Sequence, residues 1–140
     1  MKISARNVLG GTVKTVTKGA INAEVTMALE GGETVVAVIT NSSADSLGLQ
    51  PGKPAYAIVK ASEVMVGMGM ENARISARNV LPGVIANVQE GAVNSEVQVR
   101  LAGGTFVVAS ITKQSQQLLG LNPGVEVSAI IKASNVMVGV

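Results

Sequence analysis

The stretch "ISARNVL" at Ile3–Leu9 recurs unchanged at Ile75–Leu81. A shift of 72 positions aligns the 66 residues that start at Ile3 with those that start at Ile75, without a gap, and 37 of the aligned pairs are identical. The chain is therefore a tandem duplication, and such self-similarity sets the frame for every later assignment. We predict two units, 1–68 and 75–140, joined by a connector at 69–74.

Composition limits the chemistry that this chain can perform. Its 140 residues are 47% hydrophobic and 14% charged, with no Cys and no His, which is typical of a globular protein. The missing thiols and imidazoles exclude disulfides, iron–sulfur clusters, thiolate zinc sites and most general-base schemes. The formal net charge of +2 is too small for a nucleic-acid coat, so charge-driven binding has to be local.

The chain shows no membrane-spanning run and no secretory signal. No apolar stretch approaches the roughly 20 residues of a membrane helix. Arg6 and Asn7 interrupt the region where a signal peptide needs an unbroken apolar run. We therefore expect a cytoplasmic protein with no membrane partner.

Alternating hydrophobicity predicts β-structure in each unit. Val97, Val99 and Leu101 alternate with polar residues, which is the period-2 pattern of a half-buried strand. The first unit repeats this pattern, and a Gly-Gly turn then leads to the apolar stretch "VVAVIT". These two strands are predicted to form a hairpin.

The remaining elements of the first unit are predicted from caps, turns and apolar runs. The opening strand is expected to run from Lys2 to about Val16, with a break near Gly10-Gly11. The stretch "NSSADSLGLQPG" offers Asn and Ser caps, an acidic first turn and a glycine stop, which predicts a short helix from about Ser43 to Leu47. Two further strands, "AYAIVK" and "EVMVG", follow.

This order of elements is that of the five-stranded Greek-key barrel called the OB-fold. We therefore predict an all-β protein of two tandem OB-fold-like five-stranded barrels, each with one short helix. A domain of this size buries only about 60% of the surface of its unfolded chain. The two barrels are thus expected to pack on each other and on other chains.

Most polar residues outside turns and caps lie in the "SARN" and "KAS" segments of each unit. Their side chains donate hydrogen bonds, and no carboxylate lies within either segment, so the set suits a small oxyanion. First and fourth strands are neighbours in this barrel class, so Arg6 and Lys60 are expected to converge, within a unit or across an interface. The candidates are Ser4, Arg6, Asn7, Thr40, Lys60 and Ser62 in the first unit, and Ser76, Arg78, Asn79, Thr112, Lys132 and Ser134 in the second.

An alternative is that Arg6 and Lys60 are solvated strand-end charges that recent duplication preserved. Other charges do differ between the copies, as at Lys18 and Glu90, whereas the arginine of "SARN" and the lysine of "KAS" do not. This comparison slightly favours a shared role for the two cations.

The turn "GAINAEV" and its counterpart "GAVNSEV" form a second candidate region. Gly19 can supply the turn and Asn22 can cap it. Alternatively, backbone N–H groups with Asn22 or Asn94 could form a second anion pocket. The residues leave both interpretations open.

Four spaced segments together resemble the Mop domain of molybdate-binding proteins. They are "ISARNVL", "GAINAEV", "LGLQPG" and "VKASEVMVG", and close variants of the last three recur in the second unit. The resemblance covers nearly the whole chain. With its two units, the chain is similar to the di-Mop class of molbindins.

The resemblance implies an OB-like barrel in each unit, a homotrimer, and non-enzymatic binding of molybdate or tungstate between neighbouring chains, without a cofactor. It also implies cytoplasmic molybdenum storage or homeostasis. By analogy, the first oxyanion site would use Ser4, Arg6, Asn7, Lys60, Ala61 and Ser62, with Thr40 as a further candidate. Its counterpart would use Ser76, Arg78, Asn79, Thr112, Lys132, Ala133 and Ser134. Further sites near the trimer axis would use Gly19, Ala20, Asn22, Gly91, Ala92 and Asn94.

Two other classes of protein compete with this interpretation. A nucleic-acid-binding OB-fold stacks bases on aromatic side chains, but Tyr56 and Phe106 are the only aromatics and do not correspond between the units. An enzyme would need His, Cys or paired acids that the sequence does not offer. No segment suits a DNA-reading helix, and no "GxxxxGK[ST]" phosphate loop is present. We therefore expect a stand-alone oxyanion binder with no nucleic-acid partner.

Overall fold

The computed structural model describes all 140 residues and contains two five-stranded curled sheets. The first half comprises β1 (Asn7–Lys18), β2 (Asn22–Leu29), β3 (Thr34–Thr40), α1 (Asn41–Ser46), β4 (Pro54–Val59) and β5 (Met65–Gly67). The second half comprises β6 (Asn79–Glu90), β7 (Asn94–Leu101), β8 (Phe106–Thr112), α2 (Lys113–Leu118), β9 (Glu126–Ile131) and β10 (Met137–Gly139). Short 3-10 turns lie at Ala61–Glu63, Met70–Asn72 and Ala133–Asn135. The predicted all-β class, with one short α-helix in each unit, is confirmed.

The two sheets exchange their last strands. The first sheet has the order β10-β4-β1-β2-β3, and the second has the order β5-β9-β6-β7-β8. Gly139 of β10 therefore pairs with Tyr56 of β4, while Gly67 of β5 pairs with Ser128 of β9. Each sheet is thus completed by a strand from the other sequence unit, so the halves interlock. The boundaries at residues 68 and 75 are those of the sequence repeat. That they also separate two domains stays a prediction.

The opening strand differs from the prediction. β1 begins at Asn7 rather than Lys2, and no break occurs at the paired glycines. Gly11 continues the ladder opposite Leu29, and the β2 backbone approaches it so closely that no Cβ would fit. The irregularity lies between Val13 and Thr15 instead, where the register shifts as at a β-bulge.

The short helices begin earlier than predicted, and their caps are threonines. Thr40 caps α1, its Oγ1 accepting a hydrogen bond of 3.0 Å from the Ser43 N–H, and no acidic residue lies in the first turn. Thr112 caps α2 in the same way, with Ser115 as donor at 3.0 Å. Each hydroxyl oxygen therefore satisfies a backbone donor that the start of a helix leaves unpaired.

One cluster of 26 buried hydrophobic residues runs through both sheets. Its largest fully buried members include Met27, Ile85, Leu101 and Leu121. Most of the others are valines and alanines on strands, because alternate positions of each strand face the interior. The shared core and the exchanged strands join the two units into one body.

The hairpin turns of the two sheets meet at Gly31 and Gly103. A Cβ on Gly103 would lie against the carbonyl oxygen of Gly31 and 2.7 Å from its Cα. We predict that Gly103→Ala lowers the free energy of unfolding by about 1–3 kcal/mol, because backbone atoms cannot move aside as a flexible side chain can. Urea unfolding measures this, with exposed Ala102→Ser as the control. An unchanged midpoint for Gly103→Ala would contradict the close approach of the turns.

Candidate functional site

The "SARN" and "KAS" segments of the first unit line one cavity. β1 and β4 are antiparallel neighbours, with Asn7 opposite Val59, so the residues before β1 and after β4 leave the ladder at the same end. They surround an open cavity of about 300 Å³, which Met137 of β10 also contacts. Its lining residues are Ile3, Ser4, Ala5, Arg6, Lys60, Ala61, Ser62 and Met137. The structure therefore brings Arg6 and Lys60 together within one chain.

The donors in this cavity are exposed and suited to an anion. Ser4, Lys60 and Ser62 are all exposed, and Lys60 takes part in none of the three ion pairs of the chain. Ammonium and hydroxyl groups supply charge and directional hydrogen bonds without a covalent ligand. The cavity can thus receive a small anion from solvent.

Both "SARN" arginines form ion pairs with the other unit. Arg6 Nη1 lies 2.7 Å from Glu96 Oε2, whereas Arg78 donates from both terminal nitrogens to the two oxygens of Glu24, at 3.0 and 3.1 Å. The hydrogen bond to Glu24, and then its charge, raise the pKa of the Arg78 guanidinium. Arg78 therefore keeps its positive charge throughout the neutral range.

These carboxylates were not predicted as partners of the arginines. Glu24 and Glu96 lie outside "SARN" and "KAS", in the segments "GAINAEV" and "GAVNSEV", on β2 and β7 of the opposite units. A signal was present, since both copies keep a glutamate at this one position of "NAEV" and "NSEV". Which arginine each glutamate pairs with depends on how the two units pack.

Asn7 and Asn79 use their side-chain amides to join the two sheets. Asn79 Nδ2 donates to Val36 O at 2.8 Å, and Val36 N donates to Asn79 Oδ1 at 2.7 Å. Asn7 makes the same pair of bonds to Val108, at 2.8 and 2.7 Å. β3 and β8 are edge strands, so each amide continues the ladder of the opposite sheet.

The second candidate region lies at the turns β1–β2 and β6–β7. Gly19 N donates to Asn22 O at 2.7 Å, and Gly91 N donates to Asn94 O at 2.8 Å, so each glycine closes its turn. Gly91 and Asn94 also line a cavity of about 280 Å³ together with Glu96. Because Glu96 pairs with Arg6, this turn lies beside the arginine of the other unit. Ala20 and Ala92 are exposed in the same turns.

Thr40 lies near the second region rather than beside Arg6. In the β2–β3 ladder it is paired with Asn22, and in the second sheet Thr112 is paired with Asn94. Both hydroxyl groups are engaged at helix starts. Thr40 therefore does not line the cavity of the first unit's "SARN" and "KAS" segments.

The second unit repeats the main arrangement with small differences. Asn79 lies opposite Ile131, so the second "SARN" and "KAS" segments also leave their strands at a common end. Ser76, Lys132 and Ser134 are exposed there, whereas Ala133 is buried. Both units thus present the same donor types at the same place in the sheet.

No group of three or more acidic, His or Cys side chains is placed to hold a metal ion. None of the helices has the length and hydrophobicity needed to cross a bilayer.

The chain belongs to the TOBE-domain family, which matches residues 3–66 and 75–138. The resemblance to tandem Mop domains is thereby confirmed. Its fold is similar to that of the cytoplasmic molybdate-binding protein ModG, solved with molybdate bound: the TM-score is 0.97 at 49% identity, covering 100% of this chain and 99% of ModG.

Curated relatives agree with this assignment. The chain is 46% identical over 137 residues to the molybdenum-pterin-binding protein MopA of Rhodobacter capsulatus, covering 98% of this chain and 52% of MopA. It is 39% identical over 140 residues to the molybdenum transport protein ModE of Azotobacter vinelandii, covering 100% of this chain and 52% of ModE. The chain thus spans about half the length of these relatives.

Proposed function

We propose that this protein binds molybdate, and also tungstate, without catalysing a reaction. The observation that carries the proposal is the convergence of Arg6, Lys60, Ser4 and Ser62 on one open cavity. The close structural similarity to ModG, which was solved with molybdate bound, supports it. A tetrahedral dianion needs partial neutralisation and several hydrogen bonds, and this set of donors supplies both.

The site would bind the anion through charge and hydrogen bonds alone. Lys60 and Arg6 supply positive charge, and the hydroxyls of Ser4 and Ser62 donate hydrogen bonds without adding charge. Glu96 offsets part of the charge of Arg6, which keeps the site from attracting every anion strongly. No cofactor takes part. Ser76, Arg78, Lys132, Ala133 and Ser134 are proposed to form the equivalent site.

The remaining predicted ligands are proposed to act indirectly or at other sites. Asn7, Asn79, Thr40 and Thr112 have their polar groups engaged inside the fold, so we propose that they position the strands that carry the donors. The turns of the second region are proposed to form further anion sites, from Gly19, Ala20, Asn22, Gly91, Ala92 and Asn94.

We propose that three copies of the chain assemble, with 1–68 and 75–140 as its two Mop domains and 69–74 as the connector. Ile21 and Val93 lie at equivalent turns and are each 74% exposed. Exposed apolar side chains at matched positions favour packing against other chains. We also propose a role in cytoplasmic molybdenum storage or homeostasis, which the family resemblance implies. The proposal that no nucleic acid is a partner rests instead on the lack of stacking aromatics, since Tyr56 and Phe106 are the only two.

Calorimetry tests the binding proposal directly. Purified protein is titrated with molybdate, tungstate, sulfate and phosphate, and in parallel with single-stranded DNA. We expect saturable heat with molybdate and tungstate, and weak or no heat with the other ligands. Binding of DNA without binding of molybdate would overturn the proposal in favour of a nucleic-acid module. Sedimentation equilibrium tests the trimer.

A further inference from the structure

A large cavity lies away from the candidate oxyanion site. It has a volume of about 600 Å³ and lies on the outer face of the second sheet, beside the 3-10 turn of the connector. Its floor includes Val80, Pro82 and Val84 of β6, and Arg100, Glu126 and Glu71 are among its charged lining residues. Cavities of about 300–1,000 Å³ with an apolar floor and a few polar groups are typical small-molecule sites.

The first unit has other side chains at the corresponding place. Gly10 corresponds to Pro82 in the repeat. A Cβ at Gly10 would lie 2.7 Å from Glu30 Oε1 and 3.8 Å from Tyr56 Cε1. The face above residue 10 is therefore occupied by a carboxylate and a phenol ring, both supplied by the chain itself.

The second unit lacks both of these side chains. Ala102 replaces Glu30, and Ser128 replaces Tyr56. The backbone register is conserved, since Pro82 lies opposite Ser128 as Gly10 lies opposite Tyr56. The part of the cavity above Pro82 thus corresponds to the place that a carboxylate and an aromatic ring occupy in the other copy.

The cavity has an arginine at its rim that the first unit lacks. Val84 pairs with Arg100 on one side and Glu126 on the other, so the three residues form one row across the sheet. The first unit has Ala28 where the second has Arg100. Arg100 is exposed and takes part in none of the three ion pairs of the chain, so its guanidinium is free to bind an anionic group.

The connector covers one side of the cavity. Gly69 adopts a left-handed conformation with φ of 63°, which turns the chain into the 3-10 segment Met70–Asn72. Met70 packs against Gly67 of β5 and lines the cavity. A thioether at the edge of a cavity makes favourable contacts with aromatic rings.

We propose that this cavity binds a small aromatic carboxylate. The ring lies on Pro82 and Val84 beside Met70, in the space that corresponds to the Tyr56 ring. The carboxylate pairs with Arg100, whose planar guanidinium suits two carboxylate oxygens. Glu71 and Glu126 also line the cavity, so the ligand binds with its carboxylate at Arg100 and its neutral ring toward the rest of the cavity. Glu126 can accept a hydrogen bond from a hydroxyl group on the ring, which favours hydroxylated rings.

The test uses 4-hydroxybenzoate as the probe, with phenol and cyclohexanecarboxylate as partial analogues. Calorimetry on the intact chain should show saturable binding of 4-hydroxybenzoate and weaker binding of both analogues. Arg100→Ala should weaken binding about 10-fold or more, because a charge-assisted hydrogen bond is lost. Arg74→Ala, which removes an exposed arginine outside the cavity, should leave binding unchanged.

A refilled variant gives an independent check. Ala102→Glu combined with Ser128→Tyr restores the side chains of the first unit and should abolish probe binding, while single Ser128→Tyr should weaken it. The cavity shares no lining residue with the "SARN" and "KAS" segments, so molybdate binding should survive in every variant. Failure of molybdate binding in the wild type would count against the proposed function alone.

Three outcomes would overturn the aromatic-carboxylate site. The first is no binding of 4-hydroxybenzoate to the wild type, and the second is equal binding by wild type and refilled variant. The third is a change of sedimentation coefficient in the refilled variant, which would show that a second copy of the chain occupies this face.

Discussion

Replacing Asn79 with alanine is expected to lower the free energy of unfolding by about 2–6 kcal/mol, because two buried backbone groups of Val36 lose their partners and each costs about 1–3 kcal/mol. Asn79 is 1% exposed, and both of its bonds to Val36 are buried. Val36 is itself only 8% exposed, so bulk solvent does not reach the freed groups. Urea unfolding monitored by circular dichroism measures the loss.

Two other asparagines serve as comparisons for this prediction. Asn7→Ala should cost less, because the bonds of Asn7 to Val108 are only partly buried, so solvent can satisfy the freed groups. Asn72→Ala removes an exposed amide from the connector and should leave the unfolding midpoint unchanged. Equal losses for Asn79→Ala and Asn72→Ala would show that the amide does not join the sheets.

These asparagines also show why part of the site could not be predicted from the sequence. Residue type and spacing indicated a polar side chain that both copies of "SARN" share, but an amide donates equally well to an oxyanion and to a carbonyl oxygen. Which partner it meets depends on the packing of one unit against the other. The edge strand that contains Val36 lies 43 residues away from Asn79 in the chain, and no local pattern reports that contact.

The strands were predictable because each carries its own signal. Period-2 alternation in β2 and β7 and the Gly-Gly turns that follow them indicate hairpins without any long-range information. The exchange of β5 and β10 carries no such signal. Both strands contain the residues "MVG", so each is locally compatible with either sheet, and the pairing is decided by the path of the chain between the units.

Removing the "SARN" arginines is expected to have the largest effect on molybdate binding. Arg78→Ala should weaken binding at the site of the second unit by roughly 10- to 100-fold, which is the effect of losing a hydrogen bond to a charged group. Arg6→Ala should do the same at the site of the first unit. The fold should survive, because both ion pairs are about half exposed and exposed pairs contribute little to stability.

The glutamate partners provide the matched comparison. Glu24→Gln keeps an oxygen that can accept from Arg78 but removes the negative charge, so the anion no longer competes with a carboxylate for the guanidinium. We expect molybdate to bind a few-fold more tightly at that site, within about 5-fold because the pair is exposed. Glu96→Gln should give a smaller gain, since Glu96 holds Arg6 through one oxygen whereas Glu24 holds Arg78 through two.

Calorimetry separates these effects by affinity and by stoichiometry. Arg78→Ala should remove only the sites of the second unit, so the number of tight sites falls while the sedimentation coefficient stays constant. Arg74→Ala controls for the loss of one positive charge near the connector. Unchanged affinity in both Arg6→Ala and Arg78→Ala would mean that these arginines serve only to join the two units through Glu96 and Glu24. In that case Lys60 and Lys132 would be left as the cations that attract the anion.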